Sequence, residues 1–252
     1  MKADRPSRTA HFVATGRAVA QLGISHVPDF HDPTARAFLS EKGAKAVAKI
    51  EQNVREGKQG WRMEAAKVMA DIMALRTTAI DTAVRDAIGR GAKQLVILGA
   101  GYDGRAWRMT ELAGVRVFEV DHPATQGEKR SRAAELPPAI GSLSFVPINF
   151  ESQALGDVLT KAGHDRSAPT CWIWEGVVMY LSKESVRSTL RGIAALSAPG
   201  STLIVNYHSP ARRFLSKLMV RLIGEPMISE WTPEEMAAEL KAAGLTFRED
   251  TG

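Results

Sequence analysis

The apolar positions of this chain change their period near residue 92. Before it they recur at helical spacing: in "EAAKVMADIMALRTTAIDTAVRDAIGRG" (64–91), Val68, Met69, Ile72, Met73 and Leu75, then Ile80, Val84 and Ile88, fall three and four apart. Gly89 and Gly91 end that helix, and its methionines read as core rather than as a ligand box. After residue 92, short apolar runs alternate with helical segments. Strands are expected at 94–99, 115–121, 143–149, 170–175 and 201–208, and helices near 105–112, 123–135, 151–162 and 183–197. The runs are apolar throughout, as strands covered on both faces must be, and the alternation predicts a mostly parallel sheet with helical crossovers, an α/β fold.

Two features depart from that rhythm. Residues 1–91 form an N-terminal helical cap with the cofactor-closing helices, and 92–252 form the α/β core, interrupted by a helical insertion after strand five that reads as a lid over about 209–230. Within it, "SPARRFLSKLMVRLIGEP" places Phe214, Leu215, Leu218, Met219 and Leu222 on one helical face among Arg212, Arg213, Lys217 and Arg221. A solvated basic face on a packing helix, a lid, and a weak membrane-surface contact through 211–223 all fit it. Further on, Thr232 is an expected N-cap with Glu235 completing a capping box; Gly244 closes that helix and a strand is expected to begin after it.

Composition narrows the class. At 252 residues with 44% apolar content, the chain can bury a substantial core. No apolar stretch approaches the ~20 residues of a membrane span and the first ten residues lack a signal-peptide core, so a cytoplasmic protein is expected. Its single cysteine, Cys171, lies in the apolar run "TCWIW" and reads as a buried thiol; one cysteine excludes an internal disulfide and a cysteine-based zinc site, and no metal site is expected. A net charge of +5 permits anionic partners, but the basic residues are dispersed, so there is no strong nucleic-acid signal.

The chemistry lies in the loops after the strands, where ligands bind in a doubly wound sheet. Gly99-Ala100-Gly101-Tyr102-Asp103-Gly104 is a literal G-x-G-x-x-G, and Asp121 stands at the acidic position that accompanies a dinucleotide fingerprint. Asp103 argues against a pyrophosphate, because its carboxylate competes for the free N–H groups of the helix start and repels phosphate. S-adenosylmethionine has no phosphate and tolerates an acidic loop. The other strand ends agree with it: Asp121 can accept both ribose hydroxyls, Asn149 an adenine amino group, Phe150 can face the adenine ring, and Glu175 can meet the ammonium or the sulfonium.

"VILGAGYDGRAWRM", "VFEVDHP" followed by "EKR", "PINFES" and "WEGVVMYLSKESV" together resemble the leucine carboxyl methyltransferase-like group of class I S-adenosylmethionine-dependent methyltransferases, which includes bacterial O-methyltransferases of polyketide-type metabolism. The similarity extends upstream to "LRTTAID" and covers roughly residues 14–247. It implies a Rossmann-like class I methyltransferase sheet with S-adenosyl-L-methionine as cofactor. Arg76 would bind the methionine carboxylate, Gly99 would line the methionine chain, Asp121 would hold the ribose, Asn149 and Phe150 would frame the adenine, and Glu175 would stand near the amino-acid end. The chain departs from the group at Asn149-Phe150, where an aspartate-leucine pair is usual, and at Gly104, where threonine is usual.

The expected function is therefore O-methylation of a carboxylate or hydroxyl of a small-molecule acceptor in secondary metabolism. A methyltransferase acting on RNA or on a protein terminus, and a non-catalytic S-adenosylmethionine-binding or membrane-associated protein, are the alternatives. His122 and His208, with Tyr180 and Tyr207 as orienting groups, are candidates for a base, but a carboxylate acceptor needs none and no catalytic residue is singled out. The identity of the acceptor and the oligomeric state are not legible.

Overall fold

A computed structural model describes residues 6–28, 30–150, 152–210 and 227–251. Its elements in chain order are α1 (Arg8–Val19), α2 (Glu41–Arg55), α3 (Trp61–Gly89), β1 (Gln94–Leu98), α4 (Arg105–Arg108), β2 (Arg116–Asp121), α5 (Pro123–Ala133), β3 (Ser142–Pro147), α6 (Leu155–Lys161), β4 (Thr170–Trp174), α7 (Lys183–Ala195), β5 (Thr202–Val205) and α8 (Pro233–Ala242). They make up two compact units. The first comprises Met1–Asp86, Gly101–Gly114 and Ala124–Ser142; the second comprises Ala87–Ala100, Val115–Pro123 and Leu143–Gly252.

The second unit holds the sheet, in the order β3-β2-β1-β4-β5. β1 pairs in parallel with β2 on one side and β4 on the other, and β4 pairs in parallel with β5. Side chains alternate across the sheet. Val96, Leu98, Phe118, Val120, Val146, Ile148, Trp172 and Trp174 share one buried cluster with Leu155 and Leu159 of α6, Val186, Leu190 and Ile193 of α7, and Met236 and Leu240 of α8. Leu95, Ile97, Val117, Cys171 and Ile173, on the opposite face, are equally buried. Burial on both faces is why these strands carry no polar alternation.

The expected helix caps form. Thr232 accepts from the Glu235 N–H while the Glu235 carboxylate accepts from the Thr232 N–H, closing the capping box. Trp231 before it and Met236 after it are both buried in the same cluster, the positions of a hydrophobic staple. Beyond Gly244 the expected strand is not found: the described residues 245–251 are irregular and mostly exposed. An isolated extended segment gains no ladder hydrogen bonds, so its residue preferences alone do not make it a strand. The basic segment 211–223 lies outside the described residues.

In the first unit, Ala14, Ala18, Val19, Phe38, Leu39, Val47, Ala66, Ala70, Ala74 and Tyr102 form the core. α3 corrects part of the periodicity reading. Met73, Ile80 and Val84 are buried, whereas Val68, Ile72 and Leu75 are exposed. No described helix is long and apolar enough to cross a membrane.

Candidate functional site

In an open parallel sheet the ligand edge lies at the carboxyl ends of the strands, beside the point where strand order reverses. Here the chain builds outward from β1 to β2 and β3, then returns to place β4 on the other side of β1. The register aligns the residues at the strand ends. Leu98 lies opposite Val120 on β2 and Trp174 on β4, so Gly99, the next residue, faces Asp121 on one side and Glu175 on the other. Beyond β2, the Ile148 N–H donates to the Asp121 carbonyl at 2.9 Å, which sets Asn149 and Phe150 directly after the adjoining strand end. The second unit thus gathers Glu175, Gly99, Asp121, Asn149 and Phe150 along one sheet edge. Arg76 belongs to the first unit, half-buried on α3.

Each position has a local cause. Gly99 has φ +65°, and its N–H donates to the Val120 carbonyl at 2.8 Å, bending the chain out of the sheet. A Cβ there would stand 2.2 Å from Cγ2 of Val177, so both the backbone conformation and the neighbouring loop require glycine. The Asp121 carboxylate accepts from the His122 N–H at 2.6 Å, which fixes its orientation at the strand end. Asn149 starts a tight turn in which its carbonyl accepts from the Ser152 and Gln153 N–H groups, while its own N–H donates to the Gln153 side chain at 2.9 Å. Phe150 packs half-buried against the second unit's core. A carboxylate for the ribose diol, an amide, an apolar ring and a second carboxylate at successive strand ends form a set suited to ribose, adenine and an ammonium, and neither carboxylate suits a pyrophosphate.

The turn itself differs from its reading in sequence. Asp103 is buried, and its carboxylate accepts from the Arg105 N–H at 2.7 Å and pairs with the Arg105 guanidinium. Burial alone would raise its pKa; the charges of Arg105, Lys129 and Arg17 outweigh that and hold it far below the usual carboxylate range. Asp103 does take a helix-start donor, as expected, but its charge is matched and cannot repel a phosphate strongly. Arg105 also meets Asp81 at 2.7 Å, Arg108 meets Asp81 at 2.9 Å and Asp32 at 3.7 Å, and Arg17 meets Asp32 at 3.3 Å. Arg105 is therefore part of a buried ionic chain within the first unit. Gly104 is explained by the same packing: a Cβ would lie 1.8 Å from the Thr34 hydroxyl. Finally, α4 is a single turn of four residues. Such a turn sums few peptide dipoles, and a dinucleotide site relies on a longer helix there.

Of the two tyrosines considered as orienting groups, Tyr207 donates its hydroxyl to Asp250, and burial together with that carboxylate raises its pKa. It stays protonated at neutral pH. What sequence reasoning missed is the scaffold behind β4. Ile228 and Ser229 donate to the Met179 carbonyl, the Ser229 hydroxyl donates to the Val178 carbonyl at 3.0 Å, and the buried Trp231 ring N–H donates to that hydroxyl at 3.2 Å. The only signal for it was an apolar Trp231 immediately before an N-cap.

These observations define the class first: a doubly wound α/β protein whose ligand edge sits at the β1/β4 switch. Comparison with known proteins sharpens it. Residues 10–194 match the family model for leucine carboxyl methyltransferase. A candidate S-adenosyl-L-methionine-dependent methyltransferase of Mycolicibacterium smegmatis is 36% identical over 203 residues, covering 79% of this chain and 65% of that protein. Another, from Frankia alni, is 34% identical over 192 residues, covering 76% of this chain and 65% of that one. The chain thus spans a little under two thirds of the length of these relatives. In solved structures, a candidate methyltransferase from Thermobifida fusca has a TM-score of 0.54 at 20% identity over 93% of this chain and 79% of that one. Magnesium protoporphyrin IX methyltransferase from Synechocystis, with bound SAH, has a TM-score of 0.51 at 15% identity over 86% of this chain and 91% of that one. The structural likeness speaks for a Rossmann-like methyltransferase fold. The chain belongs to the leucine carboxyl methyltransferase family.

Proposed function

We propose that this protein is an S-adenosyl-L-methionine-dependent O-methyltransferase acting on a carboxylate or hydroxyl of a small molecule, in the cytoplasm and in secondary metabolism. The observation that carries the cofactor assignment is the register that sets Glu175, Gly99, Asp121 and Asn149 side by side at the sheet's carboxyl edge. Asp121 would accept the ribose hydroxyls, Asn149 and Phe150 would frame the adenine, Gly99 would line the methionine chain and Glu175 would meet its ammonium. When bound, the cofactor supplies an electrophilic methyl group on a sulfonium.

The protein's part in such a transfer is positional: it holds nucleophile and methyl carbon close and in line while keeping water out. An ionised carboxylate is ready to react at neutral pH, whereas a hydroxyl gains from a base. The family relation supports methyl transfer, and the one-turn α4, too short to cradle a phosphate, supports this cofactor over a dinucleotide.

Calorimetric titration with S-adenosylmethionine tests the reading. Saturable binding that weakens at least tenfold in Asp121→Ala, with the melting temperature preserved, is expected. Tight NAD binding without S-adenosylmethionine binding overturns it. Incubating metabolite extracts with methyl-labelled cofactor then identifies the acceptor: label in a small acid or phenol is expected, and label only in RNA or protein refutes the small-molecule assignment.

A further inference from the structure

α3 is apolar on two opposite faces. Met63, Ala66, Ala70, Met73, Thr77, Ile80 and Val84 form one seam, and all seven are buried. Opposite them, Trp61, Ala65, Val68, Ile72, Leu75 and Ala79 are all exposed, with Trp61 at 75%, Val68 at 53%, Ile72 at 44% and Leu75 at 64%. A surface helix normally keeps charge on its outer face, and a helix apolar on both sides is one that is covered on both sides.

The spacing of the outer seam is informative. It runs four, three, four, three, four without a break, the a/d pattern of a coiled-coil partner rather than the broad apolar face of a helix lying on a membrane. Its side chains are also complementary to themselves when reversed. About a two-fold axis at position 70, Trp61 meets the small Ala79 of a second copy, Leu75 meets the small Ala65, and Val68 meets Ile72. Each layer pairs an a with a d position, as antiparallel helices do, and away from the axis large residues face small ones so that the layers interdigitate. A parallel pairing would instead stack Trp61 on Trp61 and leave Ala65 and Ala79 facing themselves across a gap. Asp71, beside the seam near the axis, is held within its own chain by Ser25 and His26, each at 2.8 Å. Covering the seam and its flanks in two copies removes on the order of 1,000 Å² of surface, the lower end of what specific association needs.

We propose that this protein self-associates as a two-fold symmetric dimer through antiparallel packing of the exposed seam of α3, residues 61–79. The interface is isologous and closes on itself.

Light scattering on the eluting 252-residue chain reads the oligomer directly. Twice the chain mass at high concentration, falling toward one chain mass on dilution, is expected. Ile72→Glu should elute at one chain mass at every concentration, with an unchanged circular dichroism spectrum because Ile72 is exposed. The register is tested by cysteine pairs, since the sole native cysteine is buried. Under mild oxidation Ala65→Cys/Leu75→Cys should link two chains, whereas neither single variant should, because each residue lies ~15 Å along the axis from its own copy, at 1.5 Å per residue, beyond disulfide reach. One chain mass throughout, linkage by either single variant, or a seam whose Ile72→Glu variant loses binding to anionic vesicles while the wild type stays monomeric would each overturn the proposal.

Discussion

Gly99→Ala puts the assigned ligand edge under direct test, because two separate costs fall on one methyl group. The residue sits at φ +65°, where an L side chain costs about 1–2 kcal/mol. The new Cβ would also stand 2.2 Å from Cγ2 of Val177, far inside the ~3.5–4.0 Å of a good carbon contact. Relieving that overlap by moving a packed neighbour costs about 1–3 kcal/mol. A loss of about 3 kcal/mol is therefore expected, which for a chain of this size lowers the melting temperature by about 6–12 °C. The two costs separate in a double-mutant cycle. Val177→Ala removes the offending methyl, leaving the valine Cβ position 3.5 Å from the alanine at 99, an ordinary contact. The double variant should recover the overlap part and keep the conformational part, giving a favourable coupling of about 1–2 kcal/mol by urea denaturation. Because the turn carries the backbone beside Asp121 and Glu175, Gly99→Ala should also weaken S-adenosylmethionine binding, and the double variant should regain part of it. Additive effects, or a Gly99→Ala protein as stable as wild type, would refute the close approach of the two loops.

The remaining predictions concern the scaffold. Asp81→Ala leaves the buried Arg105 and Arg108 short of a carboxylate they share and should cost about 3–5 kcal/mol in urea titrations; a loss below about 1 kcal/mol would show that the ionic chain is not maintained in solution. His164 is buried against Phe118 and Trp172, and burial, with Arg116 nearby, pushes its pKa down to about 4. Its Nε2 bonds to the Thr170 hydroxyl at 3.1 Å while the buried Nδ1 meets no partner among the described residues, so an added proton there is unsatisfied. The unfolded chain protonates near pH 6.5 and the folded one near 4, so stability contributed by this group is complete above pH 6.5 and is lost as pH falls between those values, by up to about 3 kcal/mol. His164→Phe should flatten that part of the pH profile, and an unchanged slope would assign it elsewhere. Thr232→Ala opens the capping box of α8 and should cost about 1 kcal/mol, read as a melting shift of a few degrees.

How much of this could be read beforehand depends on how far apart in the chain the cooperating residues lie. In a parallel sheet each strand and its following loop are contiguous, so an apolar run ended by Gly99, Asp121, Asn149 or Glu175 announces both the strand and the chemistry at its end. Parallel register then brings those ends together without further information. The ionic chain of the first unit had no such signature: Arg17, Asp32 and Asp81 lie far in sequence from one another and from Asp103, Arg105 and Arg108, and each looks individually like a solvated charge. The two faces of α3 defeated pattern reading for a different reason. Both satisfy three-four spacing, and Val68, Ile72 and Leu75 are as apolar as the buried Met73 and Ile80.

The literal G-x-G-x-x-G shows what kind of inference survives. Rejecting a dinucleotide because Asp103 is negative assumed a free carboxylate, and the guanidinium of Arg105 removes that premise. The rejection stands on other ground. Gly104, the third glycine of the pattern, is required by the Thr34 hydroxyl rather than by the close packing of a helix on the strand, and α4 stops after one turn. A pyrophosphate site needs the aligned peptide dipoles and free N–H groups of a sustained helix at this point, so a spacing match without that helix has no electrostatic content. Gly99 is different, because its positive φ and the approach of Val177 hold whatever ligand lies above it.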